Sequence, residues 1–410
     1  MTSDRFDAAI TGIGLVTPAG LTASTTWSTI LSAARTEAHD RTIGDGSTVL
    51  PVAVVPDFDP RAEFGPAKAW RLARFVQLAI LATREALNDS GLEPTRWDGF
   101  RVGLVMGNSL GGAEVYDRAA EAMSNDGPNG VSPLLIPSAM PNMLAGTLAI
   151  EFKVRGPAFT VATACASGTS AIGQGRDLLR QGRCDVVIVG GAESALTDIN
   201  LAALNNMGAL SKLGKPVESA SRPFSADRAG FVPAEGAGVL ILESAEAARS
   251  RGARVYAHVS GFGSSTDAQH VTAPDPSGDG IRRAILEAVE VDAGLGLSEV
   301  THVNAHGTST PLNDASEAAA IRDLFGSGVP VTSVKGVTGH TLAAAGAIEA
   351  AVTALTLSKR TIPPTANTER VDAAFSIDLV TGQSRELASG VAVTLSAGFG
   401  GHNVALALTP

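Results

Sequence analysis

One plan appears twice in this chain: a short apolar strand runs into a helix built largely of small residues. The first copy, TVATACASGTSAIGQGRDLL, begins at Thr160, and the second, VPVTSVKGVTGHTLAAAGAIEAAVTAL, begins at Val329. Helices rich in Ala and Gly let neighbouring backbones approach closely. The repeat therefore predicts a duplicated, layered α/β architecture with such helices packed between sheets. The halves are residues 1–252 and 253–410, divided near Gly252. The 45 glycines and low aromatic content fit this packing, and 44% apolar residues supply an ample core.

Residues 8–16, AAITGIGLV, read as a buried first strand. Its Gly12-Ile13-Gly14 invites a dinucleotide-binding reading, but Thr17 stands where the third glycine of that fingerprint belongs. Residues 20–65 show little periodicity. Apolar spacing predicts a helix over 69–89, stopped by Ser90-Gly91, and then a strand over 101–106. That strand enters Gly107-Asn108-Ser109-Leu110-Gly111, formally the GxSxG elbow of serine hydrolases; a glycine-rich turn is the alternative. A loop over 125–133 and a helix over 141–152 precede the strand that ends at Cys165. Further strands are expected at 185–189, 237–243, 255–262, 300–304, 329–334 and 391–395, with helices at 279–293, 314–325 and 342–359.

Cys165 leaves a strand and meets Ala166-Ser167-Gly168, a segment suited to opening a helix. Free N–H groups and the helix dipole there favour thiolate, so Cys165 is a candidate nucleophile; an inert core thiol is the alternative, and the reading for Cys184. In the second half His306 and His340 each follow an apolar strand and sit beside glycine, at strand ends where α/β sheets present ligand-binding residues. His39, His258 and His302 read as structural or exposed. Lys335 closes its strand just before His340, and it is the simplest partner for Glu349, which lies in an otherwise apolar helix.

Other classes are disfavoured. A formal net charge of −10 argues against broad nucleic-acid binding. Two cysteines without CxxC spacing give neither a disulfide framework nor a zinc site. The N-terminal MTSDRFDAAI lacks the pattern of a secretory signal, and the apolar run 342–357 contains Glu349 and is short for a membrane span, so a soluble cytoplasmic protein is expected.

The stretches AITGIGLVTPAG, VATACASG, SRPFSADRAGFVPAEGAGVL, VNAHGTSTPLND, KGVTGHTLAAAGAIE and GFGGHNVALAL, in that order, resemble the β-ketoacyl-acyl carrier protein synthases nearly end to end. The likeness is to the elongating Cys-His-His branch of type II fatty-acid and polyketide synthesis. A thiolase would carry a second reactive cysteine near residues 398–403, and none is there. The resemblance implies the thiolase fold, two similar halves in a five-layer α-β-α-β-α stack, usually as a homodimer. It implies a condensing acyltransferase in which Cys165 accepts an acyl group and malonyl-carrier thioester is decarboxylated with His306 and His340 as donors. Lys335 and Glu349 would orient the histidines, Asp314 and Glu317 support them, and backbone N–H groups of Cys165 and Phe399 form the oxyanion hole. Thr308 and Thr310 resemble the positions that bind the phosphopantetheine arm of acyl carrier protein, and no cofactor is implied.

The chain also departs from the family. Ala397 replaces one aromatic gate of the acyl pocket, which should be wider or differently gated, with Leu110 and Leu204 among its walls. Asn129-Gly130 and Gly208 replace basic residues that dock carrier proteins in relatives, so Lys68, Arg71, Lys212 and Lys215 are the candidates for that patch. These departures leave fatty-acid and secondary-metabolite synthesis equally open. The other readings are a non-condensing, chain-length-factor-like partner, heterodimer included, and a serine hydrolase through Ser109.

Overall fold

The computed structural model describes residues 6–35, 38–212 and 216–410. The first half contributes β1 (Ala8–Val16), β2 (Val102–Gly107), β3 (Ala158–Val161), β4 (Val186–Glu193) and β5 (Gly236–Ser244). The second contributes β6 (Ala257–Thr266), β7 (Val300–Asn304), β8 (Pro330–Thr332), β9 (Asp378–Leu379), β10 (Val391–Gly398) and β11 (His402–Thr409). They join in one 11-stranded sheet system ordered β9-β8-β7-β10-β11-β6-β1-β5-β4-β2-β3. Outward from the β1–β6 junction, the first half runs β1-β5-β4-β2-β3 and the second β6-β11-β10-β7-β8. Leaving aside the two-residue edge strand β9, in chain order within each half this is first, fifth, fourth, second, third. The pairings repeat as well, antiparallel through the first three strands and parallel through the rest. The duplication read from two strand–helix stretches therefore extends to five strands of each half, with β9 added at the edge of the second.

Five helices define the layers: α1 (Arg74–Ser90), α2 (Ser167–Arg180), α3 (Asp279–Leu286), α4 (Pro311–Phe325) and α5 (Ala345–Lys359). Helix α1 packs on strands of the first half and α3 on strands of the second, whereas α2 and α5 touch each other and strands of both halves. The order is helix, sheet, paired central helices, sheet, helix: the thiolase fold. Small residues make the central layer possible. A Cβ on Gly346 of α5 would stand 1.9 Å from Thr169 Oγ1 of α2. Every residue of α5 from Ala345 to Leu357 is buried. With its leading turn, Leu342–Lys359 is long and apolar enough by composition to cross a membrane, but here it lies buried between the two sheets.

Several expectations shift. The helix predicted over 69–89 is two, Pro66–Arg71 and α1, broken where Leu72 and Ala73 turn extended; Gly91 caps α1 in the left-handed conformation as its sequence required. Lys335 does not close its strand: β8 ends at Thr332, and Lys335 opens a short helix, Lys335–Thr338. Helices Ala23–Leu31 and Ala113–Asp126 and the hairpin of Ala38–Ile43 with Thr48–Ala53 were not legible, nor was β11. Gly12 and Gly14 serve packing rather than a pyrophosphate, since a Cβ on Gly14 would lie 1.8 Å from the carbonyl oxygen of Ala82 in α1.

Candidate active site

Cys165 sits in the tight connection between β3 and α2, two residues before the helix begins at Ser167. Ala164 is forced into the left-handed region (φ 50°), and Ser167 stabilises the bend by accepting from Thr163 N (2.9 Å) and donating to Ala164 O (2.6 Å). The second half repeats the device: Leu342 has φ 50° and lies three residues before α5, as Ala164 lies three before α2. Such backbone costs about 1–3 kcal/mol per residue and persists where surrounding packing dictates it.

The thiol does not match the low-pKa nucleophile expected of a helix start. Only 9% of Cys165 is exposed, and burial pushes its pKa up to about 12. The Lys335 ammonium pulls it down, while the Glu193 and Glu349 carboxylates push it further up. Desolvation outweighs the pull of Lys335, and the raised value favours the thiol at rest.

His306 stands two residues beyond the end of β7, and α4 fixes its loop. Glu317 accepts from His306 N (2.5 Å) and Gly307 N (2.7 Å), while Asp314 accepts from Ser309 N (3.2 Å) and Phe224 N (2.7 Å). Both carboxylates are buried, and desolvation raises them, Asp314 to about 6 and Glu317 to about 8. Lys335 Nζ donates to the carbonyl oxygen of His306 (2.5 Å), lies 3.2 Å from His306 Nδ1 and forms a buried ion pair with Glu349. An ammonium facing Nδ1 makes that nitrogen the acceptor and leaves the ring proton on Nε2. The pair expected from sequence is thus present, and through it α5 holds the His306 ring. Burial pushes Glu349 up to about 7 against the pull of Lys335.

His340 follows Gly339, which takes a left-handed turn, and its backbone joins residues 232–234 through His340 N to Val232 O (2.8 Å) and Ala234 N to His340 O (2.9 Å). Its ring meets the His306 ring edge-on at 5.3 Å and the Phe231 ring at 5.0 Å. Burial, then the Lys335 charge, hold both histidines well below the usual imidazole range. They are neutral N–H donors and lone-pair acceptors at physiological pH. The buried Nδ1 of His340 has no hydrogen-bond partner among the described residues.

Cys165, His306 and His340 line one cavity of about 540 Å³. Thr308, Thr310, Phe399, Ala397, Leu110 and Leu204 line it too. Thr308 and Thr310 share a hydroxyl–hydroxyl contact of 2.9 Å. Phe399 lies in the turn between β10 and β11, and the neighbouring Gly398 approaches the nucleophile so closely that a Cβ there would stand 3.2 Å from Cys165 N. Phe231 and Asn200 also line the cavity, and no spacing in the sequence pointed to either.

The remaining candidates do not join Cys165, His306 and His340 as reacting groups, although Ser109 lines the same cavity. Ser109 lacks a histidine partner: its hydroxyl donates to the buried carboxylate of Glu193 (2.5 Å), so the hydrolase elbow is a glycine-rich turn held by an acid. His302 bonds Thr332 Oγ1 (2.9 Å), His258 bonds the carbonyl of Pro410 (2.9 Å), and His39 is exposed, as expected. Cys184 is buried against Gly103. Of the basic residues, Lys68 pairs with Glu151 (2.7 Å), while Arg71 and Lys212 are exposed; Lys215 lies outside the described residues.

The chain resembles known proteins over nearly its full length. Residues 6–248 match the family described as Beta-ketoacyl synthase, N-terminal domain, and residues 256–369 match Beta-ketoacyl synthase, C-terminal domain. A curated relative from Synechocystis sp. (strain ATCC 27184 / PCC 6803 / Kazusa), 3-oxoacyl-[acyl-carrier-protein] synthase 2, is 38% identical over 97% of this chain and 96% of its own. Among solved structures, the ishigamide ketosynthase/chain length factor superposes with a TM-score of 0.90 at 32% identity, covering 99% of each chain. A type II PKS acyl-carrier protein in complex with its ketosynthase bound to the hexaketide gives 0.89 at 28%, also over 99% of each. With the fold and the cavity in place, these matches establish that the chain belongs to the β-ketoacyl synthase family, condensing acyltransferases of the thiolase fold.

Proposed function

We propose that the chain performs decarboxylative Claisen condensation, joining an acyl group held on Cys165 to the two-carbon unit of a malonyl-carrier thioester. The observation that carries this reading is the single cavity lined by Cys165, His306 and His340, with both imidazoles held neutral by burial.

In the first half-reaction the thiol proton passes to a neutral imidazole, His340 being the one whose ring Lys335 does not engage, as sulfur attacks the acyl thioester. The carrier's sulfur leaves and takes that proton. Backbone N–H groups of Cys165 and Phe399 hold the tetrahedral oxyanion. In the second, the malonyl C–C bond breaks, carbon dioxide departs, and the electron pair forms an enolate whose oxygen accepts from His306 Nε2 and His340. Neutral histidines suit this role, because decarboxylation makes the carbanion without removing a carbon-bound proton. The enolate attacks the acyl-cysteine, a 3-oxoacyl thioester forms, and Cys165 leaves as thiolate and recovers a proton from water. With its pKa near 12 that recovery is favourable. The atoms balance on two thioesters and one solvent proton, and the substrates are taken as carried on the phosphopantetheine of an acyl carrier protein, with Thr308 and Thr310 on its path.

A carrier partner draws support from the solved relative that is itself a complex of an acyl-carrier protein with its ketosynthase. The exposed Arg71 and Lys212 and the partly exposed Lys68 are offered as its docking cations. The other expected partner is a second copy of the chain or a chain-length-factor-like subunit, the latter present in the ishigamide relative. The division into nucleophile-bearing and histidine-bearing halves near Gly252 agrees with the repeated strand order and with the family match breaking between 248 and 256. Substitution tests the roles: Cys165→Gln should lose acyl transfer yet keep malonyl decarboxylation, and His340→Ala should lose decarboxylation. Decarboxylation at the wild-type rate in His340→Ala would remove the assignment.

A further inference from the structure

We propose that Glu193 is a positioning residue for the acyl wall of the cavity: its carboxylate fixes the turn at residues 108–110 and thereby sets which acyl chains reach Cys165. Glu193 is the last residue of β4 and fully buried. Strand β2 runs parallel to β4, with Gly107 opposite Gly191, so the turn that leaves β2 lies against the end of β4. Four donors from that turn converge on the two carboxylate oxygens. Asn108 Nδ2 reaches Oε1 (3.0 Å), while Ser109 N (3.0 Å), Ser109 Oγ (2.5 Å) and Leu110 N (3.3 Å) reach Oε2. Asn108 is itself held, donating to Ala192 O (2.8 Å) and accepting from Gly111 N (2.8 Å).

Every hydrogen-bond partner of this carboxylate is a neutral donor, and burial raises it to about 7. A carboxylate kept in such a place is costly unless its donors hold something of use. The segment it holds carries Ser109 and Leu110, both lining the cavity of Cys165, and Leu110 is 46% exposed, so packing alone does not fix it. Glu193 lies near enough to Cys165 for its charge to oppose the thiolate. The inference rests on Cys165 being the acyl acceptor and adds to that reading the residue that shapes the acyl side.

Glu193→Gln keeps the volume but turns one acceptor oxygen into an NH₂ group. Whichever way the amide is oriented, a donor of the turn then faces a donor. The test measures Cys165 acylation by mass spectrometry with saturated acyl-carrier thioesters of increasing length, for wild type, Glu193→Gln and Ser109→Ala, beside malonyl decarboxylation. The expected result for Glu193→Gln is a change of about tenfold or more in the long-to-short ratio of kcat/KM, carried by KM, with decarboxylation within about twofold. Ser109→Ala, which loses one of the four donors, should move the ratio the same way by less. A wild-type length profile in both variants overturns the inference, as does an equal loss of acylation and decarboxylation. If Glu193→Gln does not fold, Ser109→Ala alone decides by the same criterion. Wild type that never acylates Cys165 contradicts the proposed function, whereas normal acylation with unmoved variant profiles contradicts only the role of Glu193.

Discussion

Replacing Lys335 by alanine tests the electrostatic design of the site, because one ammonium serves three partners. It pairs with Glu349, donates to the His306 carbonyl oxygen (2.5 Å) and faces His306 Nδ1 (3.2 Å), with both charged residues 1% exposed. Removing it leaves Glu349 buried without that cation, and its Oε2 already lacks a hydrogen-bond partner among the described residues. Breaking a buried pair in this way costs about 3–5 kcal/mol. Glu349 can avoid much of that cost by taking up a proton. Its folded pKa, about 7 with Lys335 present, rises further without it, well above a glutamate's ordinary 4.5. Between those values the folded state binds the proton and the unfolded state does not, so stability increases as pH falls. Lys335→Ala should therefore lose several kcal/mol at pH 8 and clearly less at pH 6, and Glu349→Gln in the same background should recover part of the loss. Decarboxylation should not recover, because His306 has lost the donor that fixes its tautomer; one mis-set donor in a dry site costs about a hundredfold. Urea denaturation at both pH values and carbon dioxide release from malonyl thioester in a Cys165→Gln background measure the two effects. A pH-independent stability loss that Glu349→Gln leaves unchanged, or decarboxylation within threefold of the parent, would refute this reasoning.

Other outcomes follow from the same geometry. With Cys165 raised to about 12, iodoacetamide labelling should climb about tenfold per pH unit from 7 to 9 with no plateau, and a plateau below 9 would mean the thiolate is stabilised after all. Glu317→Gln puts an NH₂ against His306 N or Gly307 N and should lower decarboxylation more than Cys165 acylation, read as two separate rates. Ala397→Phe fills space in the cavity and should reduce kcat/KM for long acyl chains by about tenfold or more while sparing short ones. Gly346→Ala forces a Cβ to 1.9 Å from Thr169 Oγ1 and 2.7 Å from Ser396 Oγ, between α2 and α5. It should cost about 1–3 kcal/mol or more by urea denaturation.

Much of the plan was legible because it is local. The strand–helix repeat, the apolar strands at 8–16 and 300–304, and the Ser90-Gly91 stop depend on periodicity and turn chemistry within a few residues. Lys335 and Glu349 could be paired because an acid amid Ala and Ile demands a cation. Much of what could not be read depends on residues far apart in the chain. The Cys165 pKa depends on burial and on Lys335, Glu193 and Glu349, none of which the helix start alone reveals. The glycine-rich turn favoured over a serine nucleophile at 107–111 is what forms, but the carboxylate that holds Ser109 is 84 residues away and could not be read. Gly12 and Gly14 are the strand glycines favoured over a nucleotide turn, but the helix they admit, α1, begins sixty residues later and could not be named as the reason. The left-handed Ala164 and Leu342 carry no glycine to announce them.

The central claim is that Cys165 holds the acyl chain and surrenders it to a decarboxylated malonyl unit. Its most direct measurement is mass spectrometry of the intact chain after incubation with acyl-carrier thioesters, followed by a malonyl-carrier chase. The account predicts one acyl adduct, located on Cys165 and absent in Cys165→Gln. The chase should discharge it with release of one carbon dioxide and a 3-oxoacyl thioester two carbons longer. An adduct on any other residue, or an acyl-Cys165 that malonyl-carrier leaves in place, would contradict it.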